Sequence, residues 1–155
     1  MKKFPNYIQP DNKDCGPTCL KILAKHYGKT INLQYLRDIS ETQREGSSLL
    51  NLSDASELIG LRSVGVKINL EKLKDTPLPC ILHWNKNHYV VLYKIQRGYF
   101  YVSDPAHGLL KYNKADFLKY WIGNNSTEKT EEGVALLVEP THKFYISKFD
   151  TDKAS

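Results

Sequence analysis

Apolar positions along this chain follow two different periods. After Cys15, the residues Leu20, Ile22, Leu23 and Tyr27 fall on one helical face, and Gly28 supplies a stop. Two further helices are expected over residues 32–40, entered through Asn32, and over residues 48–59, between Ser47-Ser48 and Gly60. Beyond Gly60 the pattern changes to short runs rich in β-branched and aromatic residues, punctuated by Gly, Pro and Asn. They predict strands over residues 61–68, 80–84, 88–95, 99–103, 109–112 and 134–139. Short helices are expected over residues 70–74 and 114–121. Helices followed by a mostly antiparallel sheet argue an α+β fold, the N-terminal helices packed on the sheet and the helices all on one side of it.

A chain of 155 residues with 41% hydrophobic content can bury one core, and a single domain is expected. The polar stretch from Gly123 to Gly133 has no apolar residue to anchor it and reads as a mobile surface loop; residues 148–155 read as a tail or connector. The net charge of +5 comes from scattered lysines with no nucleic-acid motif, so a solvated surface is expected and no nucleic-acid partner. Three cysteines cannot all pair, which points to a reducing compartment. Met1-Lys2-Lys3 leads into Phe4-Pro5-Asn6-Tyr7 without the apolar core of a signal peptide, and no stretch reaches the roughly 18 apolar residues of a membrane span.

Chemistry concentrates in Asp14-Cys15-Gly16-Pro17-Thr18-Cys19. Asp14 is a good N-cap type, and Pro17 in the first turn loses only an N–H that has no helical partner there. Cys15 therefore sits where unpaired N–H groups and the helix dipole favour negative charge on sulfur. Cys19 and Cys80 suit the plainer role of small core residues. A second constellation lies in the sheet, where His88 opens one apolar run and Asp104 closes the next. A three-residue loop of Ile95, Gln96 and Arg97 would put His88 directly opposite Asp104, with Cβ atoms about 4.5 to 5.5 Å apart. A two-residue loop would shift the register by one, leaving Asp104 to bend toward the ring. Together the pieces fit an acyl-transfer site with Cys15 as nucleophile, His88 as base and Asp104 fixing the imidazole. Gln9, just upstream, could donate its amide to an oxyanion alongside the Cys15 N–H. His26, His83, His107 and His142 have no comparable carboxylate in the local pattern, and His83 is the serious rival to His88.

Gln9, the Asp14 to Leu20 string, the strand His88-Tyr89-Val90-Val91-Leu92 and the turn Asp104-Pro105 resemble the bacteriocin-processing cysteine peptidases. Gly46-Ser47-Ser48 and the segment from Leu136 to Tyr145 extend that similarity over nearly the whole chain. The resemblance implies a papain-like peptidase domain over residues 1–140, with residues 141–155 as a connector toward a membrane domain. It implies removal of an amphipathic helical leader from a precursor peptide after a Gly-Gly or Gly-Ala pair, coupled to an ABC exporter at the cytoplasmic side of the bacterial membrane. Cys15, His88, Asp104 and Gln9 take the catalytic positions. No cofactor or metal is implied for this domain, since Cys15, Cys19 and His88 lack a fourth ligand; ATP and Mg belong to the exporter's membrane and nucleotide-binding partners. An apolar groove for the leader is expected away from the thiol, with Tyr93, Tyr99, Tyr101, Tyr112, Tyr120 and Trp121 as candidates, most of them better suited to the core. A leader-binding domain without activity, or a transglutaminase or amidase using the same triad, would share these residues.

Overall fold

In a computed structural model, residues 3–85, 87–123 and 131–148 are described. The expectation of a loop over residues 123–133 falls mostly on residues 124–130, and that of a C-terminal tail mostly on residues 149–155; both stretches lie outside the described residues.

Three helices come first: α1 (Cys15–His26), α2 (Leu33–Ile39) and α3 (Leu49–Leu58). The side chains of Asn32 and Ser48 accept the N–H groups of Tyr35 and Asn51 and so cap α2 and α3. α1 ends with Gly28 at φ 106°, its N–H bonded to Lys25 O, and with the Lys29 N–H on Ala24 O, a Schellman closure that a side chain at position 28 would strain. The sheet then runs through β1 (Leu61–Ile68), the short α4 (Leu70–Leu73), β2 (Cys80–Trp84), β3 (His88–Gln96), β4 (Tyr99–Asp104), β5 (Gly108–Asn113), α5 (Lys114–Trp121), β6 (Gly133–Pro140) and α6 (His142–Ile146). Its six strands lie in the order β1-β6-β2-β3-β4-β5, each neighbouring pair antiparallel.

Both faces of this sheet are covered, not one. α1, α2 and α3 pack with Ile81, Tyr89, Val91, Leu136 and Val138 on one face. α4 and α5 supply Leu70, Leu73, Phe117 and Trp121 to the other, against Cys80, Leu82, Val90, Leu92, Phe100 and Val102. The reason lies in the unbroken apolar runs of β2 and β3: Cys80, Ile81 and Leu82, and Tyr89 to Leu92, are buried on alternate faces. A strand apolar on both sides needs a layer on each. Cys19 and Cys80 have no exposure, and burial pushes both thiols up, Cys80 to about 12. Among the described residues no helix is long and apolar enough to cross a membrane.

α6 belongs to the packed body. Thr141 N–H and Oγ1 both donate to Gly60 O, at 2.9 and 2.6 Å, and Phe144 is fully buried with the α1–α3 layer. Gly60, at φ 91°, lies so close that a Cβ there would sit 2.4 Å from the Phe144 nitrogen. Phe144→Ala is therefore expected to cost about 3 kcal/mol in chemical denaturation, whereas Tyr145→Ala, at a side chain 54% exposed, is expected to cost under about 0.5 kcal/mol.

Candidate active site

Cys15 is the first residue of α1, and the packing around it explains its neighbours. A Cβ on Gly16 would lie 2.8 Å from a Leu52 methyl, so glycine there lets α3 close against the first turn of α1. Asp14 has no exposure and does not cap α1 with its side chain, contrary to the sequence expectation. Its Oδ1 lies 3.0 Å from Arg37 Nε of α2, and neither carboxylate oxygen has a hydrogen-bond partner. The carboxylate is spent on an ion pair that joins two helices, because a buried charge must be compensated before it can serve as a cap. Cys15 itself is 4% exposed.

Of the two loops open to the β3–β4 hairpin, the structure takes the two-residue one. Gln96 pairs with Tyr99 across Arg97 and Gly98, at φ 54° and 79°, a two-residue turn whose twist matches that of the strands. Continued regularly, this register would place Asp104 beside Val91, whose side chain faces α1. One extra residue intervenes: the ladder shifts between Leu92 and Lys94, leaving Tyr93 as a bulge, and Leu92 then pairs with Val102 and Val91 with Ser103. One step further, Asp104 falls beside Val90, on the face shared with His88 and diagonal to it. His88 Nε2 and Asp104 Oδ1 are 2.7 Å apart.

Asp104 is pinned from several sides. Oδ1 also accepts the Ala106 N–H at 2.8 Å, Oδ2 lies 3.2 Å from His107 Nδ1, and Asn6 Nδ2 donates to its carbonyl. Burial works against its charge, but hydrogen bonds from His88 and Ala106 and the nearby imidazolium outweigh that and hold the carboxyl below its usual range. For His88, burial disfavours the cation, yet hydrogen bonds to Asp104 and to Cys15, with the attraction of both, raise its pKa to about 9. With Nε2 given to Asp104, Nδ1 is the ring nitrogen left for the thiol. The structure thus brings Cys15, His88 and Asp104 together.

Gln9 enters beside them. Its N–H donates to Pro105 O at 2.8 Å, tying the segment before α1 to the turn after Asp104, and Nε2 donates to Asp11 O at 3.0 Å. An amide NH₂ carries two hydrogens, so one remains for another acceptor; Oε1 is buried without a partner. His83 lies near the thiol but hydrogen-bonds Asn87, and burial lowers its pKa. His107 does have a carboxylate partner, the same Asp104, while remaining 71% exposed, a contact that the tight turn from Asp104 to Gly108 creates.

Two depressions lie beside Cys15, His88 and Asp104. The smaller, about 280 Å³, is lined by Cys15, Gly46, Ser47, Ser48, His83 and Tyr89 among others. The larger, about 920 Å³, is lined by Gln9, His88, Asp104, Trp84, Tyr112 and Tyr120 among others, and both include Asn12 and Asn87. Sequence reasoning passed over Trp84, Asn12 and Asn87. Of the six aromatic residues named as groove candidates only Trp121 is a core residue; Tyr99 and Tyr120 are 41% and 40% exposed, and Tyr93, Tyr101 and Tyr112 are partly buried.

The sequence pattern of the peptidase C39 family matches residues 3–142. The chain is 29% identical over 151 residues to the colicin V secretion/processing ATP-binding protein of Escherichia coli, covering 97% of this chain and 20% of that protein. It is 36% identical over 129 residues to the lactococcin-G-processing and transport ATP-binding protein of Lactococcus lactis subsp. lactis, covering 79% and 18%. It spans about a fifth of the length of these relatives. Among solved structures, a double glycine motif protease from an AMS/PCAT transporter, in complex with the leader peptide, superposes with a TM-score of 0.79 at 33% identity, covering 90% of this chain and 93% of that one. The peptidase domain of Streptococcus ComA, a bi-functional ABC transporter involved in quorum sensing, gives 0.79 at 27% identity, covering 90% and 100%. The fold is the papain-like α+β arrangement of these peptidase domains, and the chain belongs to the peptidase C39 family.

Proposed function

We propose that this domain is a cysteine endopeptidase that cuts a leader from a bacteriocin-like precursor peptide after a Gly-Gly or Gly-Ala pair, at the cytoplasmic side of the membrane, as part of an ABC exporter. The observation that carries the reading is the Cys15–His88–Asp104 constellation at the start of a buried helix. The similarity to processing and transport proteins supports the substrate class and the exporter as partner.

The chemistry follows from where the proton sits. His88, raised to about 9, carries its proton at neutral pH and is placed to balance negative charge on the Cys15 sulfur as it attacks. Sγ attacks the carbonyl carbon after the glycine pair, and the oxygen takes up negative charge facing the Cys15 N–H and the second hydrogen of Gln9 Nε2. As the C–N bond breaks, His88 passes its proton to the departing amine and a thioester remains on Cys15. Water, deprotonated by the now neutral imidazole, hydrolyses the thioester and restores the pair. Asp104 keeps the ring in one tautomer and stabilises the imidazolium. The cavity beside Cys15, with Gly46 and Ser47 in its wall, is where the acyl half would lie.

A synthetic leader ending in Gly-Gly and followed by a short tail tests this under reducing conditions, with products identified by mass. One cut after the glycine pair, reduced by at least about 10³-fold in Cys15→Ala with leader binding retained, is the expected outcome. Binding without a cut would instead mean a leader-recognition domain, and transfer to or from a glutamine side chain a different acyl-transfer enzyme.

The pH profile separates a catalytic Asp104 from a merely structural one. Since the folded pKa of His88 is raised, its pairing stabilises the fold fully below about 6.5 and is lost as pH rises through about 9. The same loss removes the proton that the leaving amine needs, so kcat/KM should fall above about pH 9. In Asp104→Asn, burial of the ring persists without the opposing carboxylate. The alkaline limb should move down toward the ordinary histidine value near 6.5, with a loss on the order of 10² or more at neutral pH. An unchanged limb would remove Asp104 from the mechanism.

A further inference from the structure

We infer that the larger cavity, on the His88 side of the thiol, receives the first residues of the released half of the substrate and favours an apolar or aromatic side chain there over a basic one. This rests on the peptidase reading. It follows from which half of the peptide each catalytic group must handle. The acyl half stays bonded to Cys15 Sγ, whereas the amine half must take its proton from His88, so the new amino terminus forms on the imidazole side. Cys15 borders the cavity of about 280 Å³, and His88 and Asp104 border the one of about 920 Å³. A chain lying across the reacting atoms therefore finds more room for large side chains on its amine half than on its acyl half.

The walls of that cavity are aromatic and fixed. Trp84 of β2 stacks on Tyr120 of α5 with ring centroids 5.7 Å apart and planes 10° from parallel, and Tyr112 of β5 lies 5.7 and 5.4 Å from those two rings. Behind them the fully buried Phe117 meets Trp84 edge-on at 5.5 Å, so the indole is held by the core. Asn85, just after β2, locks the strand end to α5: its N–H donates to Tyr120 O at 2.8 Å and its Nδ2 to Lys119 O at 2.7 Å. Tyr120 nevertheless remains 40% exposed, a ring presented to an incoming group at little ordering cost. Polarity on the rim sets the sign of the preference. Lys119 is an exposed lining residue, and the one carboxylate in the lining, Asp104, is 2% exposed and already paired with His88. A lysine or arginine entering there meets like charge and loses hydration, while a phenylalanine or leucine gains ring contacts.

The test uses one leader ending in Gly-Gly, with tails that differ only in their first residue: Phe, Leu, Ala or Lys. kcat/KM is read by mass for the wild type, Tyr120→Ala and Lys119→Glu. The wild type should cut the Phe and Leu tails at least tenfold better than the Lys tail. Tyr120→Ala should shrink the advantage of Phe over Ala to under threefold. Lys119→Glu, a surface change that does not threaten the fold, should raise the Lys tail relative to Ala by threefold or more. Wild-type rates equal within twofold across the four tails, or preferences that neither substitution moves, would overturn the inference while leaving the peptidase standing. Failure to cut any of the four would overturn the peptidase reading and this inference with it.

Discussion

A carboxylate with 2% exposure stays charged only if its charge is compensated, and nearly everything at this site follows from how Asp104 meets that demand. One oxygen takes both the His88 ring and the Ala106 N–H, while the other faces His107. The charge so retained is what lets a half-buried imidazole hold its proton against burial. None of this would be possible in the regular hairpin set by the Arg97–Gly98 turn, because Asp104 would then face α1. The extra residue at Tyr93 turns the strand ends so that histidine and aspartate share a face. Phe4, stacked on Tyr93 at 4.2 Å and 5°, supports the bulge from the N-terminal segment.

That segment also links the two halves of the site. Asn6 donates to Ser103 Oγ and Asp104 O, Ser103 Oγ donates to Pro5 O, and Gln9 N–H donates to Pro105 O. The chain entering α1 is thus stitched to the strand that carries Asp104. On the far side, Gly16 lets Leu52 close on the first turn of α1, and Asp14 pairs with Arg37. The thiol is placed by contacts from the N-terminal segment, α2 and α3 together, which suits a reaction sensitive to displacements of an ångström.

Much of this was legible in the sequence, for identifiable reasons. Helix and strand limits followed from Asn32, Ser48, Gly28 and Gly60, whose local chemistry acts within a turn of the chain. The pairing of His88 with Asp104 was also readable, but its stated geometry was not. Turn type depends on Arg97 accepting a left-handed conformation, and the bulged Tyr93 stacks on a partner, Phe4, distant in sequence. Asp14 was misread as a cap because its compensating charge lies on another helix. The cover on the second sheet face was foreshadowed by the unbroken apolar runs of β2 and β3. The aromatic cavity was hidden, since Trp84, Tyr112 and Tyr120 come from three elements that only the folded sheet brings together.

The account turns on Asp104 holding a proton on the ring that faces Cys15. The most direct measurement is an NMR titration of the His88 ring nitrogens in the intact domain. The account expects an imidazolium that persists through neutral pH and titrates near 9, with the Nε2 proton in a strong hydrogen bond. A ring that titrates at or below about 6.5, as an unassisted buried histidine would, contradicts it.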